Sequence, residues 1–186
     1  MSLIGTSLLN EIINEKGVIE PDEILNLLTE KVVKSLRQNE DRDSTSDGMD
    51  IAIAVVDEEN ELLHFSGANN SLFYTTTSKE LLELKGDRQP IGYYMDRHKR
   101  FTKHSISLAD VTNIWLCTDG YTDQFCGIPG SNYSKKYKHS RLKAKLTSIQ
   151  QSSSTQQRDE LVKEFETWKG NMFQVDDVLI AGIRFY

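Results

Sequence analysis

The chain has 186 residues, of which 38% are hydrophobic and 27% charged, and its formal net charge is −6. That length suits one domain, and the apolar content excludes wholesale disorder. The acidic balance argues against nucleic acid or an anionic membrane surface as partner, and no apolar run is long enough to cross a bilayer.

Leu3, Ile4, Leu8, Leu9, Ile12 and Ile13 make one broad apolar face at helical period, which predicts a helix over 2–16 ended by Gly17. Pro21 sits where a first-turn proline belongs, with Asp22 and Glu23 near the positive end of the dipole. A second amphipathic helix is therefore expected from there to about Arg37. Residues 38–48 are polar, which predicts a loop.

The pattern then changes to strands. Ile51 to Val56, the turn Glu58-Glu59-Asn60 and the run Leu62, Leu63, Phe65 read as a hairpin. Further strands are expected over Ser71 to Thr77 and Phe101 to Leu108. The nearly continuous apolar run Val111 to Thr118 reads as a buried central strand. Residues 127–139 read as a surface loop with a small basic cluster, followed by helices at about 140–150 and 156–168 and a last strand over Val178 to Phe185. This order predicts an α+β fold, an antiparallel or mixed sheet with helices on its faces, in place of regular βαβ units.

Cys117 and Cys126 form no C-x-x-C pair and have no histidine at metal spacing, so they read as reduced, mostly buried thiols of a cytosolic protein. The first residues carry Asn and Glu among the apolar positions and are no signal peptide. His64, His98, His104 and His139 fall in no triad or metal spacing, and there is no phosphate-binding glycine loop.

Two places set a carboxylate at the end of a buried strand. Trp115-Leu116-Cys117-Thr118 runs into Asp119-Gly120, where the glycine is expected to allow a sharp turn and leave room for a ligand. Asp176-Asp177 stands before the last strand. Converging hard oxygen donors suit magnesium or manganese. Taken singly, an Asp-Gly after an apolar run is more often a turn, and an Asp-Asp before a strand more often a solvated cap.

In order along the chain, MSLIG at 1–5, DGMDIAIAVVD at 47–57, SGANNSLFY at 66–74, KGDRQPIGY at 85–93, WLCTDGYTDQFCG at 115–127 and GNMFQVDDVLIAGIRF at 170–185 resemble the phosphatase domain of the stage II sporulation protein E type, within the protein phosphatase 2C superfamily. The resemblance implies a four-layer α-β-β-α sandwich with a two-metal site at one edge of the sheets. Asp119 matches the metal-binding aspartate of the S/T-D-G motif, and Asp176 that of the D-D/N motif. Asp177 is the adjacent position, a weaker candidate for the ligand role or else a brace of the site, Gly120 is a neighbouring support, and Asp123 has a supporting role at most. Asn69 and Asn70 match a loop near the substrate side, where they position substrate or, the favoured reading, shape the loop. Structural shaping is also the reading for Gln89-Pro90-Ile91-Gly92, Asp47 and Asp50.

One departure stands out. Members of this family carry D-x-x-G-H-G upstream of the helix that starts like MSLIG, and it supplies an aspartate bridging both metals. This sequence contains no Gly-His-Gly. The expectation is therefore a single domain over 1–186 that lacks the upstream segment with the first metal motif and early strands, Met1 being an internal methionine.

By the resemblance, the complete site hydrolyses phosphoserine or phosphothreonine on a signalling protein, such as an anti-sigma-factor antagonist, with a water activated by two manganese or magnesium ions. For this chain at most one weak metal site, impaired turnover and pairing of copies through exposed sheet edges are expected. The alternative is a catalytically inactive phosphatase-like domain that binds partner proteins.

Overall fold

The structure, a computed structural model, describes residues 2–36, 48–92, 99–128, 130 and 135–185. Apart from Gly48, the loop expected over 38–48 lies outside the described residues, as do Met1, Asp47, His98, and residues 129 and 131–134 of the basic surface loop. The chain divides into two compact units, one of Met1–Leu72 with Leu84–Ala109 and one of Phe73–Glu83 with Asp110–Tyr186.

In the first unit, α1 (Ser2–Asn10) continues into a π-helical turn, Glu11–Glu15. The expected single helix thus changes its winding. Its apolar pairs Leu3-Ile4 and Leu8-Leu9 are five residues apart, a spacing that drifts off a 3.6-residue stripe, and the wider turn brings Ile12 to full burial. Gly17, at φ +69°, ends the segment in the left-handed region as expected, its N–H donating to the Ile13 carbonyl. Then α2 (Pro21–Ser35) starts on its first-turn proline and buries Ile24, Leu25, Leu28 and Val32. These pack with Ile12, Ala68, Ile91 and Phe101 over a three-stranded sheet of order β1-β2-β5. Its strands are β1 (Ile51–Asp57), β2 (Leu62–Ala68) and β5 (His104–Ser107), antiparallel throughout. β5 is shorter than the strand expected from Phe101, whose N–H is instead capped by the Asn26 side chain.

The second unit is built on a sheet of order β4-β3-β6-β7. Its strands are β3 (Leu72–Thr76), β4 (Leu81–Leu84), β6 (Val111–Cys117) and β7 (Ile180–Arg184). β6 is central, as its apolar run predicts, and pairs antiparallel with β7 in the register Cys117↔Ile180. β4 was not expected: its sequence Leu-Leu-Glu-Leu has no β-branched residue or alternation to mark it. Among the described residues the unit also holds the short α3 (Gly120–Asp123), then α4 (His139–Ile149) and α5 (Ser154–Lys169). The core joins Trp115, Tyr121, Leu142, Leu146, Phe165 and Trp168, each buried, and each large apolar side chain withdrawn from water there contributes about 1.5–3 kcal/mol.

Candidate functional site

The end of β6 and the approach to β7 meet in the second unit. The register Cys117↔Ile180 sets the residues after β6 against those before β7. Thr118 extends the ladder, its N–H donating to the Leu179 carbonyl at 3.0 Å. Its hydroxyl then does two things, donating to the Asp177 carbonyl at 2.9 Å and accepting from the Leu179 N–H at 2.9 Å. A threonine here therefore clips residues 177–179 to the strand end.

Gly120 brings the segments closer still. A Cβ added there would lie 2.4 Å from the Asp177 carbonyl oxygen and 3.2 Å from the Asp176 carbonyl carbon. The space expected for a ligand is thus filled by the backbone of the neighbouring segment. Gly120 also has no positive φ, so close packing, and no sharp turn, requires glycine here.

A third anchor is Gln124, fully buried, whose amide donates to the Phe173 carbonyl at 2.9 Å and accepts from the Val175 N–H at 3.1 Å. Neither Thr118 nor Gln124 was expected as a support of the site. Thr118 lies inside the quoted S/T-D-G motif, which was the available signal; Gln124 has none.

These anchors decide where the carboxylates lie. Asp119 precedes α3 with helical backbone (φ −72°, ψ −19°), and its carbonyl accepts from the N–H groups of Thr122 and Asp123. Its carboxylate makes no capping bond and is exposed. Asp176 is exposed as well; one of its carboxylate oxygens accepts from the Asp177 N–H at 2.7 Å, leaving the other uncommitted among the described residues. Asp176 and Asp177 do not stand immediately before β7 but in the loop leading to it. The Asp123 carboxylate is paired with the Lys136 ammonium at 2.7 Å. Among the described residues no three His, Cys, Asp or Glu side chains form a group able to hold a metal.

Asn69 and Asn70 belong to the first unit. Asn69 has φ +56°, a left-handed conformation asparagine tolerates, and donates its side-chain amide to Asp50 at 2.8 Å. Its N–H donates to the Asp87 carbonyl, and Asn70 N–H to that of Ala68. A Cβ at Gly67 or Gly86 would fall 2.1 Å or 2.3 Å from the Asn70 carbonyl oxygen. Both asparagines are built into the loop framework.

Cys117 and Cys126 are free, and burial pushes the Cys117 thiol up to about 12, so it is protonated at neutral pH. No helix among the described residues is long and apolar enough to cross a membrane.

The sequence profile described as Stage II sporulation protein E (SpoIIE) matches residues 2–186. Among solved structures, the SiaA-PP2C domain of Pseudomonas aeruginosa is similar at 24% identity and a TM-score of 0.84, over 99% of this chain and 68% of that one. A Mycobacterium tuberculosis structure of RsbU and RsbW domains is similar at 17% identity and a TM-score of 0.66, over 99% of this chain and 46% of that one. The manganese-presoaked phosphatase domain of the cell fate determinant SpoIIE from Bacillus subtilis is similar at 15% identity and a TM-score of 0.54, over 97% of this chain and 72% of that one. These likenesses show a shared fold. No curated protein matches the sequence.

Proposed function

The chain belongs to the stage II sporulation protein E family of PP2C-type serine phosphatase domains, and from that membership we propose that its site serves the metal-dependent removal of phosphate from phosphoserine or phosphothreonine on a signalling protein. One observation supports this above the others: the Asp119-Gly120 and Asp176-Asp177 segments abut, with two exposed carboxylates free of capping duty on the Asp119 side and half-committed on the Asp176 side.

The donor chemistry fits a hard divalent cation. Magnesium commonly rests on one or two carboxylates and keeps several waters, and manganese takes similar oxygen ligands. Asp119 and Asp176 would hold it, and the manganese presoak of a related structure is consistent with that metal class. When bound, the cation supplies charge neutralisation at the phosphoryl oxygens and a more acidic water. The chain's own residues hold the two segments against each other: Thr118 and Gln124 fix the loop before β7, and α3 fixes the backbone of Asp119. Asp177 braces through its backbone, and Asp123 is held away from the donor set by Lys136.

Two close cations would need a third, bridging carboxylate, and the sequence contains no Gly-His-Gly motif of the kind that carries one. This 186-residue polypeptide therefore takes up one cation weakly and turns over phosphopeptides poorly. The partner class we favour is an anti-sigma-factor antagonist; the joint RsbU and RsbW domains of the Mycobacterium tuberculosis structure support a signalling setting. The free thiols support a reducing, cytoplasmic compartment.

Calorimetric titration with manganese tests the site. One weak binding event is expected for the wild type, weakened at least tenfold in Asp119→Asn and in Asp176→Asn. Uptake unchanged by both substitutions would remove these residues as ligands, and vigorous manganese-dependent hydrolysis of a phosphoserine peptide would overturn the expected impairment. Manganese uptake without hydrolysis, together with tight binding of a phosphoprotein, would favour the inactive binding module.

A further inference from the structure

Beside α3 lies a concavity of about 510 Å³ lined by Thr122, Asp123, Lys135, Lys136, Lys138 and His139. Its basic wall is a run of chain laid antiparallel against residues 122–126 and pinned by backbone bonds. The Cys126 N–H donates to the Lys135 carbonyl at 2.9 Å, the Tyr137 N–H to that of Gln124 at 3.0 Å, and the Lys138 N–H to that of Thr122 at 2.8 Å. Tyr137 is buried, whereas Lys135, Lys136 and Lys138 are exposed. Lys136 is spent on Asp123. Neither Lys135 nor Lys138 has an ion-pair partner among the described residues. In a chain of net charge −6, two ammonium groups without an ion-pair partner among the described residues, on one run pinned by backbone bonds, form a local reversal of sign.

The backbone at Lys138 sharpens the point. Its φ of +73° and ψ of 150° lie in a region that only glycine occupies without strain. Lysine there costs about 1–3 kcal/mol relative to an unstrained backbone. Among the described residues no hydrogen bond or ion pair holds its side chain. Its N–H and carbonyl bonds, to Thr122 and from Arg141 and Leu142, would form equally well with glycine. The ammonium is what glycine would lack.

We propose that Lys135 and Lys138 are the substrate-recognition surface of this domain, taking acidic side chains that flank the phosphorylated residue of a partner protein. The inference rests on the phosphatase reading for the identity of the partner, and on geometry for its place: Asp123, on the wall of the concavity, donates its N–H to the Asp119 carbonyl one helical turn away. Charge pairing of this kind steers encounter and discriminates among partners, and it weakens as salt rises.

The test is fluorescence anisotropy with a labelled phosphoserine peptide flanked by Asp and Glu, beside the same peptide with neutral flanks, both in chelator so that no metal contributes. The acidic peptide is expected to bind more tightly, with an affinity that falls between low and high salt. Lys135→Glu/Lys138→Glu should weaken it about tenfold, by repulsion where attraction stood. Lys138→Gly separates function from folding: it should melt no lower than wild type, because the backbone strain is relieved, yet lose about threefold in affinity for the acidic peptide. Equal affinity for both peptides, wild-type binding by the Lys138→Gly protein, or equally tight binding of a single-stranded DNA oligomer would each overturn the proposal. Because this readout is taken without metal, it decides the patch whatever the manganese titration shows for Asp119 and Asp176.

Discussion

Gly120 is the residue on which the spacing of the candidate site turns. Ordinary side-chain contacts begin near 3.4 Å, and a Cβ at this position would meet the Asp177 carbonyl oxygen at 2.4 Å, against backbone that Thr118 has already clipped in place. Gly120→Ala is therefore expected to push the 176–177 segment outward and to cost about 1–3 kcal/mol as an overpacking change. A lowered midpoint in chemical denaturation, together with weaker manganese uptake, would be the signature. An alanine variant with wild-type stability and uptake would show that the two segments have slack. The sequence made the aspartates visible because Asp-Gly after an apolar run and Asp-Asp before one are local patterns. It could not show why glycine follows Asp119, since the reason is a carbonyl 57 positions away in the chain, nor that Gln124 holds Phe173 and Val175.

Among the elements, α4 and α5 are joined by a compact charged clamp. The Arg141 guanidinium donates to one Glu164 oxygen at 2.9 Å and 2.7 Å, and the Tyr137 hydroxyl donates to the same oxygen at 3.1 Å. Arg141 also lies 4.4 Å from the centre of the Trp168 ring. Burial pushes the Glu164 carboxyl up, but the bonds and charge of Arg141 and the Tyr137 hydroxyl outweigh it and leave the group below its ordinary value. Tyr137 is itself pushed up to about 12, mainly by burial, so it stays a donor.

A carboxyl depressed on folding stabilises the native state above its unfolded pKa, and that contribution is lost as pH falls through the folded value. Glu164→Gln should cost about 1 kcal/mol at neutral pH, since Arg141 is part exposed and solvent screens the pair. The difference from wild type should shrink below about pH 4. Denaturation series at neutral and acid pH check it; a gap that stays constant with pH would remove the charge from the explanation. Elements with strong local signals were readable: α2 from its first-turn proline, and the ending at Gly17. The true start of α5 was also written in the chain, as the capping box in which Ser153 and Gln156 exchange bonds, although apolar period alone placed it two residues late. β4 and the π-helical turn were not readable, because neighbouring strands and core packing fix them against weak local preference.

For the molecule as a whole, the sequence order of motifs carried the α+β class and the meeting of β6 with β7, while the other strand pairings are set by tertiary contacts that leave no local mark in the chain. That sheet leaves an edge. β7 pairs with β6 on one side, and no strand borders its other side among the described residues. Leu179 is 62% and Ile183 50% exposed, and Ala181 and Gly182 are exposed between them. Unpaired strand backbone beside exposed apolar side chains is a template for another strand, and no proline or inward charge blunts it between Ile180 and Ile183. A two-fold axis through Gly182 would set Ala181 of one copy against Ile183 of the other in antiparallel register, each pair occurring twice as closed symmetry requires. Such pairing would be self-limiting, whereas a staggered register would propagate. Sedimentation across a wide concentration range is therefore expected to show a reversible monomer–dimer equilibrium. Ile183→Lys, a charge placed on the edge, should weaken that association about tenfold or more while leaving the folded monomer intact. A monomer at every concentration, or a dimer indifferent to the lysine, would show that this edge is not where copies meet.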